Sequence, residues 1–247
     1  MENGSSYSKR AIPEALEKLS CDGFVVFSPD LSMLFDKFIV SERFNYQQIP
    51  EMSPFPQGSL FVGDVGEKRL LCMESHSDQT ELENLRASVV PVHIAKQIGV
   101  NRGFVFGTAR PSPRVEAEIG LITDQINLTG LNPLIGPNEN ALGVRFPDMT
   151  SVYDPGIQSS LEELINESNL FPQRGVLVGL HPDQHSPTDI QLDSLSEIGP
   201  YFLVSHLVAE VIAMRHAGFN VSGAVVLREI REEKLSNFFQ STTQKIF

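Results

Sequence analysis

The chain has 247 residues, a length that suits one α/β domain or two small ones. With 41% hydrophobic and 20% charged residues, it has the composition of a globular protein with a full core. The formal net charge of −12 argues against nucleic acid or an anionic membrane as the main partner. Its two cysteines, Cys21 and Cys72, lie beside apolar sequence and argue against a disulfide framework. The start is polar and no apolar run is long enough to span a bilayer, so we expect a cytoplasmic protein.

Short β-rich runs alternate with amphipathic stretches, which predicts a mainly parallel sheet covered by helices on both faces. The predicted strands are residues 23–28, a hairpin over 59–75 that turns at 65–67, and residues 103–108, 119–126, 175–180, 201–206 and 221–227. The predicted helices are residues 31–38, 82–100, 159–170, 187–199 and 207–218. Pro91 should kink the second helix or move its start, Ser159 or Ser160 should cap the third, and Pro187 should lie in the first turn of the fourth. In such sheets, ligands bind at the carboxyl ends of the strands.

The turn after the first predicted strand, Ser28–Pro29–Asp30, does not suit an anion. A phosphate-binding turn needs glycines so that several backbone N–H groups can point at the ligand. Pro29 has no N–H, and Asp30 adds a negative charge, so we expect Asp30 to be the N-cap of the following helix.

Two other strand ends carry polar clusters. Residues 74–78 (Glu-Ser-His-Ser-Asp) contain acid/base or metal-binding side chains, although a solvated loop is the plainer interpretation. His181, Asp183 and His185 are residue types that bind zinc, but no recognised spacing completes a site, so no metal is expected. The other candidate histidines, His93, His206 and His216, are interpreted as packing residues. The sequence contains no phosphate-binding loop and no dinucleotide-binding turn, so no cofactor is predicted.

Residues 132–154 (NPLIGPNENALGVRFPDMTSVYD) have neither a helical nor a strand period. Loops of this length inside a compact domain are uncommon and are usually functional or disordered. Its apolar content is too high for a solvated linker, so we expect it to pack against another surface. The apolar residues of this loop are Leu134, Leu142, Phe146, Met149, Val152 and Tyr153.

The segment DQINLTGLNPLIGPNENALGVRFPDMTSVYD resembles the long mid-chain segment of the trimeric purine nucleoside phosphorylases. FNYQQIP, VVPVHIAKQIGV and AEVIAMRHAGFNVSG extend the resemblance over about residues 20 to 230. The resemblance implies one nucleoside phosphorylase-like α/β domain over residues 1–247, with a mixed, partly barrelled sheet flanked by helices. It also implies an N-terminal helix or extension over residues 1–20 and a shortened C-terminal tail. A homotrimer is implied as well, in which Phe146 of the loop reaches the neighbouring subunit's pocket.

The same resemblance implies a degraded active site, with no residue assigned a catalytic role. The phosphate turn of the family corresponds to Ser28–Pro29–Asp30, and the turn after the third main strand to residues 107–110. None of the matched pocket positions carries the residue that the family uses there. These positions are Pro29, Asp30, Pro56, His76, Asp78, Thr80, Thr108, His185, Ser186, Ser205, His206 and Glu229.

The sequence therefore leaves two functional hypotheses. In the first, the chain is a phosphorylase homologue that has lost phosphorolysis and has a binding, regulatory or assembly role. Its partners would be copies of itself or an active paralogue, and its ligand a purine-like or other small molecule. In the second, the chain is an active but divergent phosphorylase, or a nucleosidase that uses water, with Asp78 or Glu229 as the base. Arg110 and Arg228 are the candidates for a replacement cation.

Overall fold

The computed structural model describes residues 16, 18–49, 52, 58–75, 81–181, 183 and 187–247. Ten strands form one mixed sheet. The strands are β1 (Gly23–Phe27), β2 (Ile39–Asn45), β3 (Ser59–Val65), β4 (Lys68–Glu74), β5 (Arg102–Thr108), β6 (Arg110–Pro111), β7 (Ile119–Leu128), β8 (Pro172–Leu180), β9 (Tyr201–Val204) and β10 (Asn220–Val226). Their order in the sheet is β2-β3-β4-β1-β5-β10-β7-β8-β9-β6.

Helices cover both faces of this sheet. The α-helices are α1 (Leu82–Ser88), α2 (Val90–Gln97), α3 (Pro155–Glu167), α4 (Asp189–Ser196), α5 (Val208–His216) and α6 (Glu232–Ile246), and 3-10 helices span Pro29–Lys37 and Tyr46–Gln48. In β1, Phe24 and Val26 pack toward the cluster formed with α1, α2 and α5, while Val25 and Phe27 pack toward α3 and α6. Both faces of the central strands are therefore buried, as the apolar runs predict. In the described part of the chain, no helix combines the length and the apolar character that crossing a membrane requires.

Part of the sheet closes on itself. Strands β4, β1, β5 and β10 run parallel, and so do β7, β8 and β9, but β10 pairs with β7 in the antiparallel direction. Ala109 alone separates β6 from β5, and β6 pairs with β9. The circuit β5-β10-β7-β8-β9-β6 is therefore closed, and it brings the segment after β9 beside the ends of β1 and β5. This confirms the predicted mixed, partly barrelled sheet, whereas the parallel arrangement predicted from the alternation of elements holds only within the two parallel groups.

Several predicted boundaries were wrong. Helix α3 begins at Pro155 and is capped by Asp154, whose Oδ1 accepts from the N–H groups of Gly156 and Ile157 at 2.8 and 3.0 Å. Helix α4 is capped by Thr188, so Pro187 precedes it. Ser28, rather than Asp30, occupies the N-cap position of the first 3-10 helix.

Other predicted boundaries were confirmed. Pro91 lies at the start of α2, separated from α1 at Val89, and Gly66, Gly99 and Gly218 have positive φ. The N-terminal extension lies almost wholly outside the described residues.

Candidate functional site

The ends of β1 and β5 are joined by two side-chain hydrogen bonds. The Oγ of Ser28, which is completely buried, accepts from the backbone N–H of Thr108 at 3.0 Å. The Oγ1 of Thr108 donates to a carboxylate oxygen of Asp30 at 2.7 Å. Asp30 therefore bonds to the neighbouring strand end rather than capping its own helix. A carboxylate held by a hydroxyl donor occupies the place where a sequence with glycines would offer free backbone N–H groups.

The segment after β9 packs onto the same place. Leu207 is fully buried and has a φ of 77°, a left-handed conformation that is unusual for a residue other than glycine. Its side chain lies against Gly107, where an added Cβ would be 2.7 Å from Leu207 Cδ1. A residue with a side chain at position 107 would displace Leu207, and with it the adjoining His206. Neither the strained backbone of Leu207 nor its contact with Gly107 could be predicted from the sequence.

His206 is held as a neutral imidazole. Burial lowers its pKa to about 4, and the nearby carboxylate of Asp30 opposes this shift only in part. Its Nδ1 is 3.3 Å from the Oγ of Ser205, while its Nε2 is buried and has no hydrogen-bond partner among the described residues. His206 thus packs against its surroundings as expected, but within the described ranges only its Nδ1 has a hydrogen-bonding neighbour.

A shallow cleft with a volume of about 10 Å³, which is room for about one water molecule, adjoins His206. Its polar lining atoms are mostly engaged, since the side chain of Asn127 bonds to Leu131 O and to both the N–H and the hydroxyl of Thr129. The remaining surface is largely apolar. Its lining residues are Leu85, Asn127, Thr129, Leu131, Gly179, Ser205, His206, Val208 and Ala209. Among the described residues, this lining includes no Lys or Arg that could hold an anion.

The carboxyl end of β4 is held from two sides. The hydroxyl of Tyr46 donates to Glu74 O at 2.7 Å, and the hydroxyl of Ser75 donates to the carboxylate of Glu210, which is fully buried on α5. The pKa of Glu74 is raised, mainly because its carboxyl group is partly buried. Glu210 is not among the residues predicted from the sequence, although a lone charge inside the apolar run LVAEVIAM was an available signal.

In the described part of the chain, the other predicted pocket positions do not lie together. Glu229 is exposed after β10, and Pro29 is partly buried in the 3-10 helix. His181 Nδ1 lies 3.8 Å from a carboxylate oxygen of Asp183, but across the described ranges no group of three or more metal-binding side chains forms. The positions outside the described residues are Pro56, His76, Asp78, Thr80, His185 and Ser186.

The candidate cations lie on β6 and just after β10. Arg228 donates to Val115 O at 3.0 Å, and Arg110 is an exposed residue of β6, where it pairs with Leu203 of β9.

The irregular loop 132–154 is covered partly by its own chain. Leu142, Val152 and Tyr153 are buried, and Tyr153 forms a β-bridge with Val221. In contrast, Phe146 is 84% exposed and Val144 is 68% exposed. The loop therefore has two kinds of apolar residue: an inner set that anchors it to the domain, and an outer set that projects into solvent.

Comparison with known proteins supports the interpretation of this fold. A scan against models of protein families found no match. The chain is 30% identical over 234 residues to purine nucleoside phosphorylase 1 of Bacillus subtilis, covering 90% of this chain and 82% of that protein. It is 29% identical over 212 residues to purine nucleoside phosphorylase of Bos taurus, covering 81% of this chain and 72% of that protein.

Among solved structures, a schistosomal purine nucleoside phosphorylase in complex with hypoxanthine superposes with a TM-score of 0.73 and 21% identity. The match covers 92% of this chain and 90% of that one, so the two share a fold. Together with the identity to the Bacillus subtilis enzyme over most of both chains, the comparison shows that this chain belongs to the purine nucleoside phosphorylase family.

Proposed function

We propose that this chain is a purine nucleoside phosphorylase homologue that has lost phosphorolysis and acts as a binding, regulatory or assembly protein. The observation that carries the proposal is the contact between Thr108 and Asp30. It joins the two strand ends that correspond, by resemblance, to the family's phosphate turn and the turn after its third main strand. In this chain those ends present a carboxylate and a proline.

The charge of Asp30 opposes phosphate binding, although Asp30 is exposed and solvent screens part of the repulsion, so the following figure is an upper bound. Two like unit charges about 4 Å apart repel by about 4 kcal/mol at an effective dielectric constant of about 20. A loss of about 1.4 kcal/mol already lowers a rate tenfold. Arg228 bonds to a backbone carbonyl, and the side-chain hydrogen bond of Asp30 comes from a neutral hydroxyl rather than from a cation.

The competing candidate is an active but divergent phosphorylase or nucleosidase. This candidate is favoured by the 30% identity to purine nucleoside phosphorylase 1 of Bacillus subtilis. A nucleosidase needs no anion site, so Asp30 would not obstruct it, and Glu229 is exposed and accessible to a substrate.

One assay distinguishes these functions. Inosine and guanosine turnover is measured with and without phosphate, beside an active phosphorylase of the family, and a thermal-shift screen of purines is run on the same protein. We expect no turnover above background in either condition. Phosphate-dependent turnover would overturn the proposal, and phosphate-independent turnover would favour the nucleosidase.

A repair variant tests the reason for inactivity. The double substitution Pro29→Ser with Asp30→Gly restores a turn with more N–H donors and less charge. We expect it to remain inactive, because the cation and purine contacts implied by the family are still absent. Recovery of phosphorolysis in this variant would show that the turn alone had blocked an otherwise competent site.

The proposed assembly is a homotrimer, or a hetero-oligomer with an active paralogue, with the 132–154 loop at the contact. The support is the outer set of loop residues, since Val144 and Phe146 would be an aggregation risk on an isolated monomer. Phe146 would then lie at or near the neighbouring subunit's pocket. The ligand of that pocket would be neutral or cationic and purine-like, because Asp30 repels anions.

A further inference from the structure

The loop 132–154 is fastened to the end of α5 by a side-chain network centred on Asn138. The amide nitrogen of Asn138 donates to Asn140 Oδ1 at 2.7 Å and to Gly143 O at 3.0 Å. Its amide oxygen therefore faces the Nε2 of His216, at 3.0 Å. Because this oxygen can only accept, the Nε2 of His216 must carry the hydrogen.

The other ring nitrogen of His216 has no such partner. The residue is only 6% exposed, and its Nδ1 is buried without a hydrogen bond among the described residues. A second proton on the ring would have to sit on Nδ1, where it would meet no acceptor from the described part of the chain. The neutral tautomer with hydrogen on Nε2 is therefore the form that the site favours, and burial lowers the pKa of His216.

Two further contacts show how closely the loop fits the helix end. A Cβ on Gly143 would overlap the backbone carbonyl oxygen of His216, so the loop approaches the helix to a distance that only glycine permits. The Nε of Arg215 donates to Asp148 O at 2.9 Å on the adjoining part of the loop. The fastening therefore depends on the position of the last turn of α5.

The charges around His216 come from three segments. Glu139 of the loop raises the pKa of His216, but less than burial lowers it. Arg215 precedes His216 on α5, Asp148 lies on the loop near Arg215, and Lys96 of α2 approaches Gly218 just after the helix. Glu139 is the charged group that acts on the pKa of His216, and because it favours the proton, burial opposes protonation without preventing it.

We propose that the packing of residues 136–146 against His216 at the end of α5 is a proton-sensitive latch: it closes over neutral His216 and opens when a second proton on the buried Nδ1, which has no acceptor among the described residues, must reach solvent. This inference goes beyond the proposed function and does not depend on whether catalysis has been lost. It makes the exposure of Phe146 and its neighbours responsive to pH.

The direction of the pH effect on the latch follows from the lowered pKa of His216. The bound loop favours neutral His216, and a free histidine has a pKa of about 6.5. The latch is therefore fully closed above that pH and weakens as the pH falls below it. A single linked proton increases the opening equilibrium by at most about tenfold per pH unit.

The test is hydrogen exchange of the backbone amides of residues 136–146 in the whole protein, measured from pH 8 to pH 5 and corrected for intrinsic rates. We expect protection to be constant above about pH 6.5 and to fall by up to about tenfold per pH unit below it. Strand β5 supplies the internal reference, because its protection reports wider unfolding. Protection of the loop that stays level down to pH 5 would overturn the proposal.

Two variants make the test specific. His216→Gln keeps an N–H that can donate to Asn138 but cannot take up a proton, so it should stay closed at pH 8 and lose the acid-dependent release. His206→Gln is the matched control, since His206 also has a pKa lowered by burial but bonds to Ser205 rather than to Asn138; it should keep the release. Release that persists in His216→Gln would assign the effect to another group and overturn the proposal.

A third variant and a direct observation cover the case in which His216→Gln does not fold. Gly143→Ala should open the latch at every pH, because its Cβ cannot be accommodated beside His216. In the unmodified protein, imidazole nitrogen NMR should find His216 neutral at pH 8 with its hydrogen on Nε2. Hydrogen on Nδ1 instead would contradict the network from which the latch is inferred.

Discussion

The hydroxyl of Thr108, at the end of β5, donates a 2.7 Å hydrogen bond to the carboxylate of Asp30, in the first turn after β1. A charged acceptor makes this bond stronger than a neutral one, although Asp30 is exposed. We expect a double-mutant cycle of Asp30→Ala and Thr108→Val to give a coupling of about 0.5–1.5 kcal/mol in the free energy of unfolding, measured in urea. Thr108→Ser retains a hydroxyl and should preserve most of the coupling. Additive single changes would show that the contact contributes nothing to stability.

The N-cap of α3 can be tested with a matched pair of substitutions. Asp154 accepts from two N–H groups of the first turn, so Asp154→Ala should lower the free energy of unfolding by about 1 kcal/mol. Ser159, which the sequence favours as the cap, instead donates to Pro155 O inside the helix. Ser159→Ala should therefore change stability by less than Asp154→Ala, and the reverse order would contradict the observed helix start.

His206 should make stability depend on pH. Its folded pKa of about 4 is below the usual value of about 6.5, so its contribution is complete above pH 6.5 and declines as the pH falls toward 4. Because the residue is partly exposed, the free energy of unfolding should fall by less than the limit of about 1.4 kcal/mol per pH unit that one linked proton allows. His206→Gln should flatten the pH profile of urea unfolding between pH 4 and 6.5 relative to the unmodified chain. An unchanged profile in this variant would contradict the buried neutral imidazole.

Phe146 should affect assembly without affecting the fold of the subunit. It is 84% exposed, so Phe146→Ser removes little intrachain packing and should leave the unfolding free energy of the monomer within about 0.5 kcal/mol. If the loop lies at a trimer contact, light scattering at micromolar concentration should find trimers for the unmodified chain and smaller species for the variant. A stable monomer in the unmodified chain would contradict the proposed assembly. Leu142→Ser, in the buried part of the same loop, is the contrasting variant that should destabilise the subunit itself.

Local pattern predicted most strands and helices but not all of them. Residues 39–45 were missed because β2 is an edge strand whose side chains, including Ser41 and Arg43, are mostly exposed. Helix α6 was also missed, although its apolar face packs Leu235, Phe238 and Phe239 into the core. Helix starts were misplaced at α3 and α4, since several oxygen-bearing residues compete for each cap and only the folded backbone selects among them.

The sequence by itself determined the fold family, the burial of β1 on both faces, the turn at Gly66 and the irregular, apolar character of the 132–154 loop. These features depend on local backbone geometry or on patterns of residues that are contiguous in the chain. Only the tertiary structure decided that Asp30 bonds to Thr108, that burial lowers the pKa of His206, and that His216 fastens the loop. The bonds of Asp30 and His216 each join residues from separate elements, 78 positions apart in the chain. Their formation depends on closure of the barrel and on burial, which no local pattern contains.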